Sequence, residues 1–556
     1  MKKMVPVLIA IVLIIIIAGA AFGMKVVERF SYSKERMDLN EYYQLASAEE
    51  VALVLNNDIK EEKGILRDGI CYLDLNTVHT YLNDRFYADY HEEWLLYTTP
   101  DEILYAKAGE AGEDGYVPAF LQDGTMYVAL DYVKKYTNFS YSLYTEPNRA
   151  VLTTSWEEHQ AADIRKDTAV RYQGGVKSDI LTEVAAGDKV TVLEEMENWS
   201  KVATEDGFLG YVENKRLENV RSETLIPVTD YAEPEYTSVR RDYKINLGWH
   251  QVTTEAANST LSSVLEGVSG MNVISPTWFF LSDNEGNFVS IGSTSYVEEA
   301  HSRGLEVWAL LDNFTYDVDT REILSYTSKR TKLIEGLIAE ALALGVDGIN
   351  VDLEQIPSDA GEDYIEFIRE LSIPCRANGL VLSVDNYVPK DYNAHYHWKE
   401  QGIVADYVII MGYDEHYGGS QEVGSVASIN YVEDGISTMV QSVSPEKVIN
   451  AVPFYTRIWE TSGGEVKSQA VGMSAAETFL AERGVTASWD ETTCQNYAEL
   501  QDGDAFYQVW LEDAQSLEVK MNIMKKYGLG GVAAWKLGYE SGHPEVWEVL
   551  SGFVNG

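Results

Sequence analysis

Three polar residues, Asn350, Asp352 and Glu354, alternate with apolar residues in the segment GVDGINVDLEQ, residues 345–355. Successive side chains of a β-strand point to opposite faces, so these three side chains would share one face of a strand. Burying carboxylates without partners costs free energy, which makes such a strand poor core and a good active site. The pattern predicts a catalytic site; a solvent-facing edge strand with acidic side chains is the alternative interpretation.

Three later segments also place polar, charged or aromatic side chains at the ends of apolar runs. These segments are MGYD at residues 411–414, VPFYTR at residues 452–457 and AAW at residues 533–535. The indole of Trp535 offers a flat apolar face to a ligand with little loss of conformational entropy. Ordinary core packing is the alternative interpretation for this tryptophan considered by itself.

From about residue 241, apolar strand-like runs alternate with helical patterns. The eight runs are Ile245–Gly248, Met271–Ile274, Glu306–Leu310, Gly348–Glu354, Leu380–Val384, Tyr407–Met411, Lys447–Val452 and Gly531–Trp535. The clearest amphipathic helices are at 325–344 and 363–378. This alternation predicts an α/β fold, a (β/α)₈ barrel whose active site lies at the carboxyl ends of its strands. Polar or aromatic residues cluster at those ends: Trp249, Trp278, Asn313, Glu354, Asn386, Tyr413, Asp414 and Trp535.

The residues Asp347, Gly348, Asn350, Asp352 and Glu354 resemble the Asp-Gly-x-Asp-x-Asp-x-Glu signature of glycoside hydrolase family 18, the chitinase-like barrels. Asn350 stands where many members have Asp, a replacement that the spore-wall branch of the family shares. An asparagine cannot share a proton with Asp352, so the resemblance leaves open how Asp352 is tuned. The family also implies a small α+β insertion before the last strand, which we expect between Trp459 and Asp513.

The resemblance implies a role for each site residue. Glu354 would act as general acid and then general base, Asp352 would accept from the acetamide N–H of the substrate, and Tyr413 would donate to the acetamide oxygen. We also expect the charge of Asp352 to raise the pKa of Glu354. The expected substrate-binding residues are Asn350, Asp414, Trp535, Met411, Trp249, Asn313 and Arg457.

Composition excludes several classes of function. A chain of 556 residues with a formal net charge of -45 is expected to form two to four domains and is a poor electrostatic match for nucleic acid or anionic lipid. The nine histidines show no metal-ligand spacing, and three distant cysteines form no disulfide framework. We expect no metal and no cofactor.

The amino terminus has the pattern of an export segment. Met1–Lys3 are basic at positions 2 and 3, and Val5–Gly23 contain no charged residue. This predicts a signal-anchor over residues 1–30, with the remainder of the chain outside the cytoplasm. A cleaved signal peptide ending near Ala18-Gly19-Ala20 is the alternative, which would make the protein secreted.

Two smaller domains are predicted before the barrel. Residues 46–155, with DGICYLDLNTVHTYL and DGTMYVALDYVKKY, resemble the α+β domain named after the amino-terminal part of copper amine oxidase, although nothing in them indicates copper. Residues 162–220, with short strands and Gly-Asp and Asp-Gly turns, resemble a bacterial SH3-like all-β barrel. Residues 221–240 are a predicted linker, and residues 241–556 the catalytic barrel.

These features predict a retaining, substrate-assisted glycoside hydrolase that cleaves an N-acetylglucosamine-containing polysaccharide. Peptidoglycan of the bacterial cell wall or spore cortex is the preferred substrate, since both accessory modules are of bacterial-surface type. A chitinase or chitooligosaccharide hydrolase is the first alternative. A non-catalytic barrel that binds chitin or wall glycan is the alternative of another class, and the presence of Glu354 favours the enzyme.

Overall fold

The computed structural model describes residues 5–226, 229 and 231–556. The chain divides into two compact units, Met1–Ala88 with Ala106–Glu233, and Asp89–Tyr105 with Pro234–Gly556. The basic head at residues 1–3 and part of the predicted linker, residues 227, 228 and 230, lie outside the described residues.

The first unit begins with the α-helix Val5–Phe30. Within its segment Val5–Arg29, a window of 18 residues has a mean hydropathy of 3.1, and the segment is long enough to cross a membrane. A signal sequence near an amino terminus has the same properties, so the helix fits both predictions made for this segment.

Two seven-stranded sheets make up most of the first unit. The first contains the strands Glu50–Leu55, Asp58–Arg67, Ile70–Asp74, Ala119–Gln122, Thr125–Ala129, Ser140–Tyr144 and Arg149–Thr153, with the helices Leu39–Tyr43, Leu75–Tyr81 and Leu130–Lys134 nearby in sequence. The second contains Glu158–Ile164, Thr168–Arg171, Ile180–Val184, Lys189–Glu195, Trp199–Thr204, Leu209–Glu213 and Leu217–Thr224. The second sheet is antiparallel and encloses a small valine-rich core, as predicted for an SH3-like barrel.

The second unit is built on a closed barrel of eight parallel strands. They are β1 (Ile245–His250), β2 (Val273–Leu281), β3 (Glu306–Asp312), β4 (Gly348–Asp352), β5 (Val381–Tyr387), β6 (Tyr407–Met411), β7 (Val448–Pro453) and β8 (Gly531–Trp535). Each strand pairs with the next, and β8 pairs with β1 to close the barrel. Both faces of these strands are buried, which explains their continuous apolar sequences. The predicted (β/α)₈ barrel is therefore confirmed.

Helices surround the barrel, and one insertion interrupts it. The helices are Leu261–Val264, Thr294–Ser302, Thr320–Leu324, Thr327–Leu344, Gly361–Ala377, Trp398–Val404, Ile429–Met439, Ala514–Tyr527 and Glu545–Asn555, and Phe288–Ser290 adds a short strand antiparallel to β2. The predicted α+β insertion is present between β7 and β8. It consists of the strands Tyr455–Ser462, Glu465–Gly472, Ser488–Asp490, Gln495–Asp502 and Ala505–Leu511 with the helix Met473–Glu482.

The segment Asp89–Tyr105 belongs to the barrel unit, although it lies within the predicted domain 46–155. The Asp89 carboxylate accepts a hydrogen bond from the backbone N–H of Thr327 at 2.7 Å, at the start of the long helix after β3. The Thr98 hydroxyl donates to the buried Glu366 carboxylate at 2.5 Å, on the helix after β4. The segment therefore supplies polar partners to two helices of the barrel.

A network of buried ion pairs lies under this segment. Arg330 pairs with Glu370 at 2.9 Å, and Arg369 pairs with Glu366 at 3.1 Å and with Glu400 at 2.8 Å. Removing one partner of a buried pair leaves a charge without compensation, at a cost of about 3–5 kcal/mol. The pair of Arg330 and Glu370 joins the helix Thr327–Leu344 to the helix Gly361–Ala377.

Replacing Asp89 with alanine should lower the free energy of unfolding by about 1–2 kcal/mol, because the first turn of the helix Thr327–Leu344 loses its capping carboxylate. Burial raises the pKa of Asp89, but the backbone N–H groups of Glu92, Thr327 and His91 outweigh it and lower the pKa below its ordinary 3.8. The stabilisation is therefore present above that value and is lost as pH falls through the lowered pKa.

Urea denaturation at pH 7 and at acidic pH measures this effect. The same change at the exposed Asp101 of the segment is the matched control and should alter stability by less than about 0.5 kcal/mol. Equal losses at both positions would contradict the capping role of Asp89.

Candidate active site

A cavity of about 380 Å³ opens at the carboxyl ends of the barrel strands. Four carboxyl groups and several aromatic rings from different strands share its wall. They are Asp312, Asp352, Glu354, Asp414, Phe280, Phe314, Tyr316, Tyr387, Tyr413 and Trp535. The cavity therefore brings together residues from three of the sequence segments that predicted the site.

Strand β4 and the residues after it provide the central row of polar side chains. Asn350 is fully buried, Asp352 is 5% exposed, and Glu354 is half-buried at the cavity mouth. Both carboxyl groups line the cavity, as the alternation along the strand predicts. Asp352 therefore lies deeper in the cavity than Glu354, and a ligand reaches the Glu354 carboxyl group more easily.

Asn350 forms the base of this row. Its Oδ1 accepts from Trp249 Nε1 at 2.9 Å and from Ser275 Oγ at 3.1 Å. Its Nδ2 donates to Ser383 Oγ at 3.0 Å and to Asp385 Oδ1 at 2.8 Å. All the hydrogen-bonding capacity of the amide is used inside the protein, as a buried polar group requires.

Two of the predicted substrate-binding residues, Asn350 and Trp249, lie in the interior of the barrel. Both side chains are completely covered, and Trp249 packs with its ring centroid 5.9 Å from that of Trp535. Neither is among the described residues that line the cavity. Their contribution is to support Asp352 and Trp535 from below.

Two neighbours fix the position of Glu354. Asn313 holds its backbone, accepting from Glu354 N at 2.9 Å and donating to Glu354 O at 2.8 Å. The Tyr387 hydroxyl donates to Glu354 Oε2 at 2.5 Å. Asn313 was predicted to bind substrate, but it acts on the backbone and does not line the cavity among the described residues.

The pKa of Glu354 is raised above its ordinary value. Burial is the main cause, the Tyr387 hydrogen bond opposes it, and the charges of Asp414 and Asp312 add to it. The expected direction is thus found, but the charge of Asp352 is not its main cause. A raised pKa extends the pH range in which a carboxylic acid stays protonated, which favours a role as general acid.

Asp352 lies in a still less polar environment. Burial raises its pKa well above the ordinary value, and the charges of Asp385, Glu354 and Asp312 raise it further. Within the described part of the chain, its Oδ1 has no hydrogen-bond partner. The free oxygen is available to a ligand group that donates a hydrogen bond.

Strand β6 and its neighbours complete the cavity wall. Met411, Tyr413 and Asp414 line it, as predicted, and so does Trp535 at the end of β8. The Tyr455 hydroxyl of the insertion donates to Asp414 Oδ1 at 2.6 Å. Arg457, the remaining predicted binding residue, instead donates to Ser468 Oγ at 3.2 Å and is absent from the described lining residues.

Three functional residues were missed by the sequence analysis: Asp312, Asp385 and Tyr387. The predicted fifth strand ended at Val384, whereas β5 continues to Tyr387. Applying the alternation rule three residues further would have placed Asp385 and Tyr387 on the inner face. Asn386, which the sequence analysis had noted, faces the other way and exchanges hydrogen bonds with Gln401.

The described residues contain no group of three or more His, Cys, Asp and Glu side chains that could hold a metal ion.

Comparison with known protein families gives two matches. Residues 285–540 match the model of glycosyl hydrolases family 18, and residues 166–218 match the bacterial SH3 domain. Residues 285–540, within the barrel unit, therefore form a domain of glycosyl hydrolases family 18. Both resemblances predicted from the sequence are confirmed, while that of residues 46–155 to a copper amine oxidase domain stays a prediction.

Relatives with curated descriptions match about half of this chain or less. The uncharacterized glycosylase YvbX of Bacillus subtilis is 24% identical over 300 residues, which are 52% of this chain and 87% of YvbX. The cortical fragment-lytic enzyme of Bacillus anthracis is 26% identical over 248 residues, 43% of this chain. That alignment spans only 56% of the relative's length.

Solved structures agree on the fold. The spore cortex-lytic enzyme SleL of Bacillus cereus superposes with a TM-score of 0.50 at 22% identity, covering 59% of this chain and 78% of SleL. A chitinase of Chromobacterium violaceum also gives 0.50, at 21% identity, covering 56% of this chain and 99% of the chitinase. At these identities the likeness establishes the barrel architecture.

Replacing Tyr387 with phenylalanine should raise the pKa of Glu354 further. The hydroxyl donates to the carboxylate and so stabilises its ionised form, and this stabilisation is lost in the variant. Carbon-13 NMR of the Glu354 carboxyl carbon against pH measures the shift, which should be about one pH unit. Tyr392→Phe, at a strongly exposed tyrosine, is the control; an unchanged Glu354 titration in Tyr387→Phe would contradict the assigned hydrogen bond.

Proposed function

We propose that the protein is a retaining glycoside hydrolase that cleaves N-acetylglucosamine-containing polysaccharide with the assistance of the substrate's own acetamide group. The observation that carries this proposal is the placement of Glu354, with its raised pKa, on the same cavity wall as Asp352, Tyr413 and Trp535. Most glycosidases use one carboxyl group as acid and a second as nucleophile or base, but family 18 enzymes replace the second with the substrate's acetamide.

In the first step, Glu354 donates its proton to the bridging glycosidic oxygen. The acetamide oxygen attacks the anomeric carbon, the bond to the leaving sugar breaks, and an oxazolinium ion forms. Asp352, as a carboxylate, accepts from the acetamide N–H and stabilises the positive charge, which is strong in a site that excludes water. Tyr413 supports the acetamide oxygen, and the Trp535 indole lies under the sugar.

In the second step, the Glu354 carboxylate removes a proton from water, and the oxygen of that water attacks the anomeric carbon. The ring of the oxazolinium opens and the acetamide is restored. Glu354 regains the proton that it gave up, so the enzyme returns to its starting state. Two inversions at one carbon give overall retention of configuration.

Peptidoglycan is the proposed natural substrate. The bacterial SH3 domain at residues 166–218, Asn350 in the catalytic motif, and likeness to cortical fragment-lytic enzymes all favour a wall glycan. Chitin or chitooligosaccharide is the second candidate, favoured by the fold of the chitinase from Chromobacterium violaceum. A barrel that only binds wall glycan would not need a general acid with the environment of Glu354.

We also propose that the protein acts outside the cytoplasm, held at the membrane by the helix Val5–Phe30. The proposed domains are a signal-anchor at 1–30, an α+β domain at 46–155, an SH3-like domain at 162–220, a linker at 221–240 and the barrel at 241–556. The accessory domains would hold the active-site cavity close to the bacterial cell wall. No nucleic acid partner is proposed, because the net charge of the chain is -45.

Replacing Glu354 with glutamine should lower the rate of hydrolysis by roughly two to four orders of magnitude, because the amide cannot donate the required proton. Binding of the glycan should remain within a few-fold of wild type, since the two side chains have the same shape. Glu518→Gln, at an exposed position of the helix Ala514–Tyr527, is the matched control. Turnover by Glu354→Gln close to that of wild type would show that another residue is the acid.

Purified peptidoglycan, chitin and a de-N-acetylated form of each glycan, compared side by side, test both the substrate and the mechanism. Mass spectrometry of the products should show cleavage of acetylated peptidoglycan, and NMR should show the anomeric configuration retained. De-N-acetylated glycan should resist cleavage, since the internal nucleophile is missing. Cleavage of the de-N-acetylated glycan at a similar rate would rule out assistance by the acetamide.

A further inference from the structure

Strand β5 carries a second row of polar side chains that matches the catalytic row of β4. In the parallel pairing of these strands, Asn350 lies beside Ser383, and Val351 lies beside Val384. The next inward positions are therefore Asp352 beside Asp385. The catalytic motif lies on β4, and its polar residues lie beside polar residues of β5.

Hydrogen bonds join the two rows at both ends. Asn350 donates to Ser383 Oγ at 3.0 Å and to Asp385 Oδ1 at 2.8 Å, and the Tyr387 hydroxyl donates to Glu354 Oε2. Between these bonds lies Asp352, whose Oδ1 has no partner within the described residues. Asp385 is 2% exposed and is not among the described residues that line the cavity. It can act on the reaction only through Asp352 and Glu354.

Two buried carboxyl groups placed side by side cannot both ionise easily, so such a pair keeps one proton. The acidic form of the family motif supplies a second carboxyl group at position 350, where this chain has an amide. Asn350 directs its Nδ2 toward Asp385, which favours a negative charge on Asp385 and leaves the proton of the pair on Asp352.

We propose that Asp385 is a positioning residue that takes over, from the neighbouring strand, the control of Asp352 protonation that residue 350 exerts in the acidic form of the motif. In the resting protein the proton of the pair lies on Asp352. As the substrate's acetamide gains positive charge, the proton moves from Asp352 to Asp385, and Asp352 becomes the carboxylate that the reaction needs. No other proton donor or acceptor is consumed.

The environment of the pair supports this assignment. Burial raises the pKa of Asp352, and Asp385 is the neighbour that raises it most after burial; burial also raises the pKa of Asp385. The other titratable groups that act on the pair come from β3, β4, β5, β6 and the segments between β4 and β6. They are Asp312, Glu354, Tyr387, Tyr413, Tyr364 and Tyr396.

The inference rests on the proposed function, and the pH dependence of kcat/KM tests it. Replacing Asp385 with asparagine removes a neighbouring negative charge, so Asp352 should ionise at lower pH. In the wild type the acidic limb reports the first proton lost by the pair, from Asp385, whereas in the variant it reports the ionisation of Asp352 alone. The limb should therefore move to higher pH, while the basic limb, governed by Glu354, moves less. Ser383→Ala removes the other acceptor of the Asn350 amide without changing charge, and should leave the acidic limb in place.

The double variant Asn350→Asp/Asp385→Asn serves as the rescue. It keeps two carboxyl groups and reverses the hydrogen bond between positions 350 and 385, so the acidic limb should return toward its wild-type position. It also keeps the proposal testable if Asp385→Asn alone fails to fold. A fall in activity with both limbs unmoved in Asp385→Asn, or a limb that the double variant does not move back, would overturn the proposal.

Carbon-13 NMR of the Asp352 carboxyl in the protein without substrate separates this proposal from the proposed function. The signal is assigned by its loss in Asp352→Asn. Its midpoint should fall by about one pH unit in Asp385→Asn. If the wild type cleaves none of the glycans, the proposed function fails, but this titration still decides the proposal: an unshifted Asp352 midpoint overturns it.

Discussion

Several carboxyl groups crowded into a water-poor space constrain the whole active site. Asp312 and Asp352 end two neighbouring strands, Asp385 lies near the end of the next strand, and Glu354 follows Asp352 at the cavity mouth. Taking charge out of water is costly, so the ionisation of each group raises the pKa of the others. The site can therefore hold protons at a pH where isolated carboxyl groups would have lost them, and this property makes acid catalysis possible.

The hydrogen bonds around the cavity hold the residues of this carboxyl cluster and its neighbours in place. Tyr387 and Asn313 fix Glu354 at the mouth, whereas Trp249 and Ser275 fix Asn350 at the base. Neither Asn350 nor Trp249 touches the cavity, yet each determines what surrounds Asp352. One residue of the catalytic motif, Asn350, therefore has a structural role and does not line the cavity.

The barrel and much of the site could be predicted from the sequence. Strands buried on both faces are continuous apolar runs, and all eight were found close to their predicted positions. Alternation along β4 correctly placed Asp352 and Glu354 on one face. It could not reveal that Asn350 would be fully enclosed, because its partners Trp249 and Asp385 come from strands about 100 and 35 residues away. Asp385 and Tyr387 escaped notice because β5 extends beyond its apolar run.

The burial of several charged residues on the helices around the barrel was also not predictable from the sequence. Arg330, Glu366 and Glu370 have the charges of a solvent-facing surface, but all three are buried. Glu366 accepts a hydrogen bond from Thr98, in a segment that precedes the barrel by more than 100 residues, and no local pattern shows that connection.

The placement of Asp89–Tyr105 with the barrel has a consequence for how this chain could be rearranged. The three predicted domains suggest parts that recombination, in evolution or in the laboratory, could exchange at the linker. A hybrid joined there would inherit the barrel without the segment Asp89–Tyr105, which supplies hydrogen-bond partners to two of its helices. The predicted linker at residues 221–240 is therefore not the boundary of the structural unit that contains the barrel. A chimeric protein that keeps this unit intact would need residues from both sides of the linker.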